Sequence, residues 1–202
     1  MKPLLKLSNV IDVVNNRIGQ GLMWLILAAV LISAGNAFVR KIFGVSSNAY
    51  LEVQWYLFAA VFMLGAGYTF LKNAHVRIDF ISSRLSARTR SWIDIIGIIA
   101  FLLPLCWLLI TLSWPLFVNA WQSGEVSGNA GGLVRWPVYL LIPVGMVLLL
   151  LQGFSELIKR FAFLSGAITD PLADTDHSQE DEIKRLEEEA AARGNQQAGG
   201  KI

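Results

Sequence analysis

Four long apolar runs divide the chain, at residues 19–38, 53–70, 95–118 and 137–153, and none of them contains a charged residue. At about 1.5 Å rise per residue, runs of roughly 17 to 24 residues cross a hydrocarbon core of about 30 Å. Strand-like alternation of polar and apolar positions is absent, so a membrane barrel is excluded. Helices satisfy their backbone hydrogen bonds internally, which lipid demands. The pattern therefore predicts transmembrane helices at about 19–38, 53–70, 92–118 and 137–160, within a membrane domain of residues 18–163. Ahead of them, Leu4, Leu7, Ile11, Val14 and Ile18 share one helical face, with Lys6, Asn9, Asp12 and Asn16 elsewhere. Residues 1–17 thus read as an interfacial amphipathic helix feeding the first span. Residues 164–202 read as a polar tail, solvated and disordered, with a short helix at 180–193 ended by Gly194. The expected fold class is all-α: an integral membrane bundle of four transmembrane helices with an N-terminal amphipathic helix.

Charge gives this bundle a direction. Residues 1–169 carry 13 basic and 6 acidic side chains, whereas 170–202 carry 4 and 9. Lys2, Lys6 and Arg17 precede the first run, Lys72, Arg77, Arg84, Arg88 and Arg90 lie between the second and third, and Lys159 and Arg160 follow the fourth. The opposite side has only Arg40, Lys41 and Arg135. Ten against three places both termini in the cytoplasm by the positive-inside rule. The same rule explains the basic balance without nucleic acid. The first run is too long for a signal h-region and lacks a small-residue cleavage site, so it is expected to remain.

The connections carry turn and contact chemistry. Gly44 to Asn48 is a turn, and Ser47 or Asn48 is placed to cap the second helix. Arg40 and Glu52 suit the dipole ends of their helices and are close enough in sequence to pair across the loop or reach headgroups. Gly65, Ala66 and Gly67 permit close helix approach. Pro104 is expected to kink the third helix. Trp92 and Trp114 suit the two interfaces. The glycine-rich stretch 123–132 is either a flexible connector or a loop that folds back. It lacks the lysine and preceding strand of a phosphate-binding loop.

Most catalytic and conducting chemistries are missing. The only histidines, His75 and His177, lie outside the runs, and Cys106 is the single cysteine. Haem ligation within the spans and a thiol-oxidising cysteine pair are thereby excluded. Cys106 reads as a buried apolar residue. His75 and Asp79 have i,i+4 spacing, but two ligands make a weak metal site. No ionisable residue sits at mid-span, where a charge costs at least about 2.5 kcal/mol. A polar solute pathway through this chain alone is therefore not expected, and neither is an enzyme. The rival reading is a stand-alone four-helix channel or exporter acting as an oligomer.

The chain resembles the small membrane subunit, the DctQ-like small permease, of tripartite ATP-independent periplasmic (TRAP) transporters, over about residues 10–163. The carriers are Asn36 with Arg40, Glu52, Gly65-Ala66-Gly67-Tyr68, the segment Asn73-Ala74-His75-Val76-Arg77-Ile78-Asp79, and Trp136 to Gly145. The resemblance implies a sodium-coupled secondary importer of organic acids in the bacterial inner membrane. Its implied partners are a large polytopic permease, a periplasmic substrate-binding protein and membrane lipid. Sodium is expected in the large subunit, with no cofactor, metal or catalytic residue in this chain. The soluble tail implies that the two permease subunits are separate chains. The small subunit would scaffold the large one without binding solute. Asn36, Arg40, Glu52, Gly65, Gly67, Tyr68, Asn73, His75, Arg77 and Asp79 are the implied interface. Arg135 and Trp136 read as an interfacial anchor or, with Glu125, as contacts on the periplasmic face.

Overall fold

A computed structural model of the chain describes residues 1–44, 47–73 and 85–169. They form four helices long and apolar enough to cross a membrane: α1 (Lys2–Phe43), α2 (Asn48–Leu71), α3 (Ala87–Ser123) and α4 (Trp136–Leu164). The fold is all-helical, as the apolar runs require, with one isolated antiparallel bridge between Val126 and Val134. His75, Arg77, Asp79 and the tail from residue 170 lie outside the described residues.

Each helix overruns its apolar stretch, because lipid-compatible sequence marks the crossing whereas caps mark the helix ends. α1 stops at Gly44, whose φ of 65° is the left-handed conformation that glycine adopts without a Cβ penalty, and whose N–H bonds the Arg40 carbonyl. α3 stops in the same way at Gly124, φ 62°. After α2, Asn73 takes φ 55° and donates its N–H to the Phe70 carbonyl. Asparagine is among the few non-glycine residues that tolerate this region. Ser47 is the N-cap of α2, but its hydroxyl makes no capping bond. Ser86 does cap α3, accepting from the Thr89 N–H at 3.2 Å.

No break separates residues 1–17 from the first span. α1 is a single helix of 42 residues, about 63 Å long at about 1.5 Å per residue. That is about twice the hydrocarbon thickness. Its N-terminal half packs through polar residues: Ser8 and Asn15 are buried, whereas Leu4, Leu7 and Val14 are exposed.

α4 is the hub, packing against all three other helices; α1 also lies along α2. Nine α4 residues are buried, and most are small or polar: Gly145, Gly153, Ser155, Ala162, Gln152, Glu156 and Arg160 among them. α2 has only Glu52 and Gly67 buried. Helices in lipid gain little from hiding apolar side chains from one another, so close backbone approach and polar contacts hold them together. A Cβ on Gly145 would strike the Met63 carbonyl of α2, and one on Gly19 would enter the Tyr68 ring. Gly67 faces Asn15 on one side and the Leu148 carbonyl on the other. The small apolar cluster of Ile95, Ile98 and Leu157 joins α3 to α4, with Phe70, Leu102, Leu103 and Leu164 around it.

α3 carries a π-helical turn at Ile98–Leu102, immediately before Pro104. The Leu103 N–H reaches back to the Ile98 carbonyl in the wide i→i−5 register. Proline supplies no N–H and crowds the carbonyl four residues earlier, and the wider turn accommodates that defect within a continuous helix. This is the structural form taken by the disturbance expected at Pro104.

Gly145→Leu should overpack the α2–α4 contact and lower stability by about 1–3 kcal/mol. Gly21→Leu should change it little, because a Cβ there meets nothing within 4 Å. Thermal unfolding in mild detergent compares the two, and equal midpoints would contradict the packing described.

Candidate functional site: two polar ties at opposite ends of the bundle

At the end of the bundle holding Met1 and Leu164, the polar stripes of α1 and α4 meet. Gln152 is fully buried. Its amide oxygen accepts from Asn15 Nδ2 at 2.9 Å, and its amide nitrogen donates to Asp12 Oδ1 at 2.9 Å. Ser155 Oγ donates to the same Asp12 oxygen at 2.7 Å, and lies 2.7 Å from Ser8 Oγ. Lys159 Nζ reaches the other Asp12 oxygen at 3.1 Å and also pairs with Glu156. Arg160 is 3% exposed and directs Nη2 toward Asp94 of α3 at 3.2 Å and Glu156 at 3.7 Å. One network therefore joins α1, α3 and α4. Its members recur at i, i+4, i+7 on α1 (Ser8, Asp12, Asn15) and at i, i+3, i+4, i+7 on α4 (Gln152, Ser155, Glu156, Lys159). Those are same-face spacings. On α1 this polar spacing stands in the sequence beside the apolar stripe of residues 4–18.

The second tie lies at the other end. Glu52, 6% exposed, accepts from Asn129 Nδ2 at 2.7 Å and from the Leu133 N–H at 2.7 Å. The expected pairing of Glu52 with Arg40 or with headgroups is corrected by these bonds. They satisfy both carboxylate oxygens inside the protein, and Arg40 is left exposed at the end of α1. The glycine-rich loop thus folds back. Ser127 N–H donates to the Leu133 carbonyl and Arg135 N–H to the Glu125 carbonyl, both at 2.9 Å. Tyr56 Oη fastens the Val134 carbonyl at 2.9 Å. The Arg135 guanidinium pairs with Glu125 at 2.9 Å, with both side chains about two-fifths exposed. Its hydrogen bonds to Tyr139 and then Glu125 raise its pKa above the ordinary value. Trp136 packs edge-on against Trp121, centroids 4.7 Å apart.

The family-motif residues do not converge on one site. Gly67, Tyr68 and Gly65 serve the α1–α2 contact, where Gly65 faces Leu22 and Lys72 lies over the Tyr68 ring. Asn73 ends α2. Asn36 lines a groove of about 310 Å³ with Ile32, Gly35, Val39, Ser47 and Tyr50. Among the described residues, no group of three or more His, Cys, Asp or Glu side chains is placed to hold a metal.

The geometry defines a multi-pass membrane protein whose polar side chains fasten helices and a loop. A model of the family described as "Tripartite ATP-independent periplasmic transporters, DctQ component" matches residues 21–163, and the chain belongs to that family. It is therefore a small membrane subunit of a tripartite transporter, a transport component and not a member of an enzyme family. Neither a curated protein nor a solved structure matched the chain.

Two measurements test the ties. In a double-mutant cycle, Asn15→Leu and Gln152→Leu should be coupled by about 0.6 kcal/mol, with about 1.7 as an upper figure for such bonds in membrane helices. Strictly additive losses would show that the amides do not act on each other. For the loop, Glu52→Gln should speed hydrogen exchange at the Leu133 amide relative to Ser127, because only the former donates to Glu52. Unchanged Leu133 protection would count against the contact.

Proposed function

We propose that this chain is the fixed scaffold of a sodium-coupled importer of organic acids, in the bacterial inner membrane with both termini cytoplasmic. The large permease subunit holds the sodium and solute sites, and a periplasmic binding protein delivers the solute. The observation that carries the scaffold role is the use of the buried polar groups. Gln152, Asn15 and Glu52 bind other parts of the same chain, so they bridge helices and loop without lining a route across the membrane. The spans are also sparsely covered: only 6% of the most apolar α2 window and 11% of that of α1 are buried within the chain. Such surface suits lipid and a larger membrane partner.

In this reading Asn36, Arg40, Tyr68 and the 73–79 segment contribute to the large-subunit contact. Glu125, Arg135 and Trp136 lie on the periplasmic face, where the folded loop offers a preformed surface to the binding protein. The ten-to-three distribution of basic residues supports this orientation.

Reconstitution tests the assignment. Sodium-driven uptake of an organic acid should require this chain together with the large subunit and the binding protein. The large subunit alone should be inactive and aggregate more readily. Normal uptake without this chain would overturn the scaffold role, and solute flux through this chain alone would favour the channel or exporter reading.

A further inference from the structure

At the end of the bundle that holds Met1 and Leu164, a polar recess of about 430 Å³ opens between α1 and the end of α2. That volume falls within the about 300–1,000 Å³ of small-molecule sites. Asp12, Asn16, Arg17 and Gln20 line it from α1, and Leu71 and Lys72 from α2. The two helices approach closely here, with Gly19 against the Tyr68 ring and Gly67 against Asn15. Two cations from different helices are thereby brought to one recess. Lys72 Nζ lies over the Tyr68 ring, 5.7 Å from its centroid.

The charge at this recess is uncompensated. Among the described residues neither Arg17 nor Lys72 forms an ion pair, whereas Lys159 and Arg160 are paired within the protein. Asp12 is the carboxylate lining the recess, and its oxygens are occupied by α4. Oδ1 accepts from Gln152 and Ser155, and Oδ2 pairs with Lys159. The side-chain amides of Asn16 and Gln20 have no hydrogen-bond partner among the described residues. Two cations and two unengaged amides make a donor-rich site suited to the oxygens of an anion.

Depth and surroundings say which anion. Arg17 immediately precedes the charge-free residues 18–39 of α1, and Lys72 immediately follows the charge-free residues 53–71 of α2. Both cations therefore stand at one edge of the hydrocarbon, where basic side chains meet lipid phosphates. Toward mid-span, Met23, Trp24 and Leu27 are exposed on α1. They lie at i+3, i+4 and i+7 from Gln20, on the same helical face. A polar recess thus continues into apolar surface, the order of groups in a phospholipid.

We propose that this recess binds the headgroup of an anionic phospholipid of the phosphatidylglycerol class. Arg17 and Lys72 balance the phosphate, the Asn16 and Gln20 amides donate to headgroup oxygens, and an acyl chain lies along Met23, Trp24 and Leu27. An amine-bearing headgroup is disfavoured, because its ammonium would face two cations. The bound lipid bridges α1 and α2.

The test uses the full chain in mild detergent, stripped of lipid and observed by native mass spectrometry. The added probes are palmitoyl-oleoyl phosphatidylglycerol and the corresponding phosphatidylethanolamine. The wild type should retain one phosphatidylglycerol and hold it more tightly than phosphatidylethanolamine. Arg17→Gln and Lys72→Gln should each weaken it about five-fold, and together about 25-fold, the scale of a basic residue near an anionic headgroup. Both side chains are exposed, so the variants should keep wild-type helical circular dichroism. Arg17→Lys should retain most of the binding. Lys6→Gln removes the same charge outside the recess and should leave the affinity unchanged. An equal loss in Lys6→Gln would reduce the effect to overall charge and overturn the site, as would undiminished retention in the folded double variant. Tighter retention of phosphatidylethanolamine would overturn the anionic assignment. Displacement of the lipid by sodium phosphate, beyond that caused by sodium chloride of equal ionic strength, would make free phosphate the ligand and overturn the lipid. A wild-type chain retaining no phosphatidylglycerol would overturn the proposal outright.

Discussion

The side-chain amide of Gln152 sets the position of the first helix against the last. It gives a hydrogen bond to Asp12 and accepts one from Asn15, both at 2.9 Å. A primary amide has donors on one atom and acceptors on the other, so both bonds form only in one register of α1 on α4. Sliding either helix by a turn would leave buried polar groups unpaired, a costly outcome in a low-dielectric interior. Much of the remaining packing follows. With α1 held there, α2 can pass only where it lacks a side chain, which is Gly67 between Asn15 and the Leu148 carbonyl. One turn along α1, Gly19 makes room for Tyr68. The motif glycine and tyrosine of α2 therefore fit against positions on α1 and α4 that lie far away in sequence.

Glu52 acts in the same way at the opposite end, but on a loop. An extended connection of glycines and small polar residues has little of its own to order it, and fixing each backbone residue costs about 1–2 kcal/mol. Two carboxylate bonds, the Val126–Val134 bridge and the Tyr56 bond offset that cost and keep 125–135 folded on α2. Between the two ties the helices meet through apolar and small residues. Among the described residues the bundle is therefore pinned by polar contacts at both ends.

How much of this was legible depends on the kind of signal. The four helices could be read because lipid imposes a length on apolar runs, and the turn at Gly44 because turn residues cluster there, whereas the caps at Asn73 and Gly124 were not. Gly67 could be read as a close approach, though not toward which helix. The partners of Glu52 could not be read, since Asn129 and Leu133 lie some eighty residues away and only the folded loop brings them near. The network around Gln152 was half legible. Ser8, Asp12 and Asn15 already stood at helical spacing, but the interfacial reading of residues 1–17 assigned the polar face to solvent. In lipid the inference runs the other way, because apolar side chains face outward at no cost and the polar face seeks protein.

The same reversal explains why α3 is the loosest member of the bundle. It touches the rest chiefly through α4, by the Ile95–Ile98–Leu157 cluster and the Asp94–Arg160 pair. Pro104 lies between one and two turns beyond that cluster and forces a choice between a broken hydrogen bond and a wider turn. The π-turn at Ile98–Leu102 takes the second option, inserting an extra residue into the helix where it crosses Gly153. The side-chainless Gly153 accepts the widened backbone, since a Cβ there would lie 2.7 Å from Leu102 Cδ2. On its other side Phe101 stays three-quarters exposed. A proline placed to disturb one helix is thus absorbed by a wider turn on the α3 face that meets a glycine of α4.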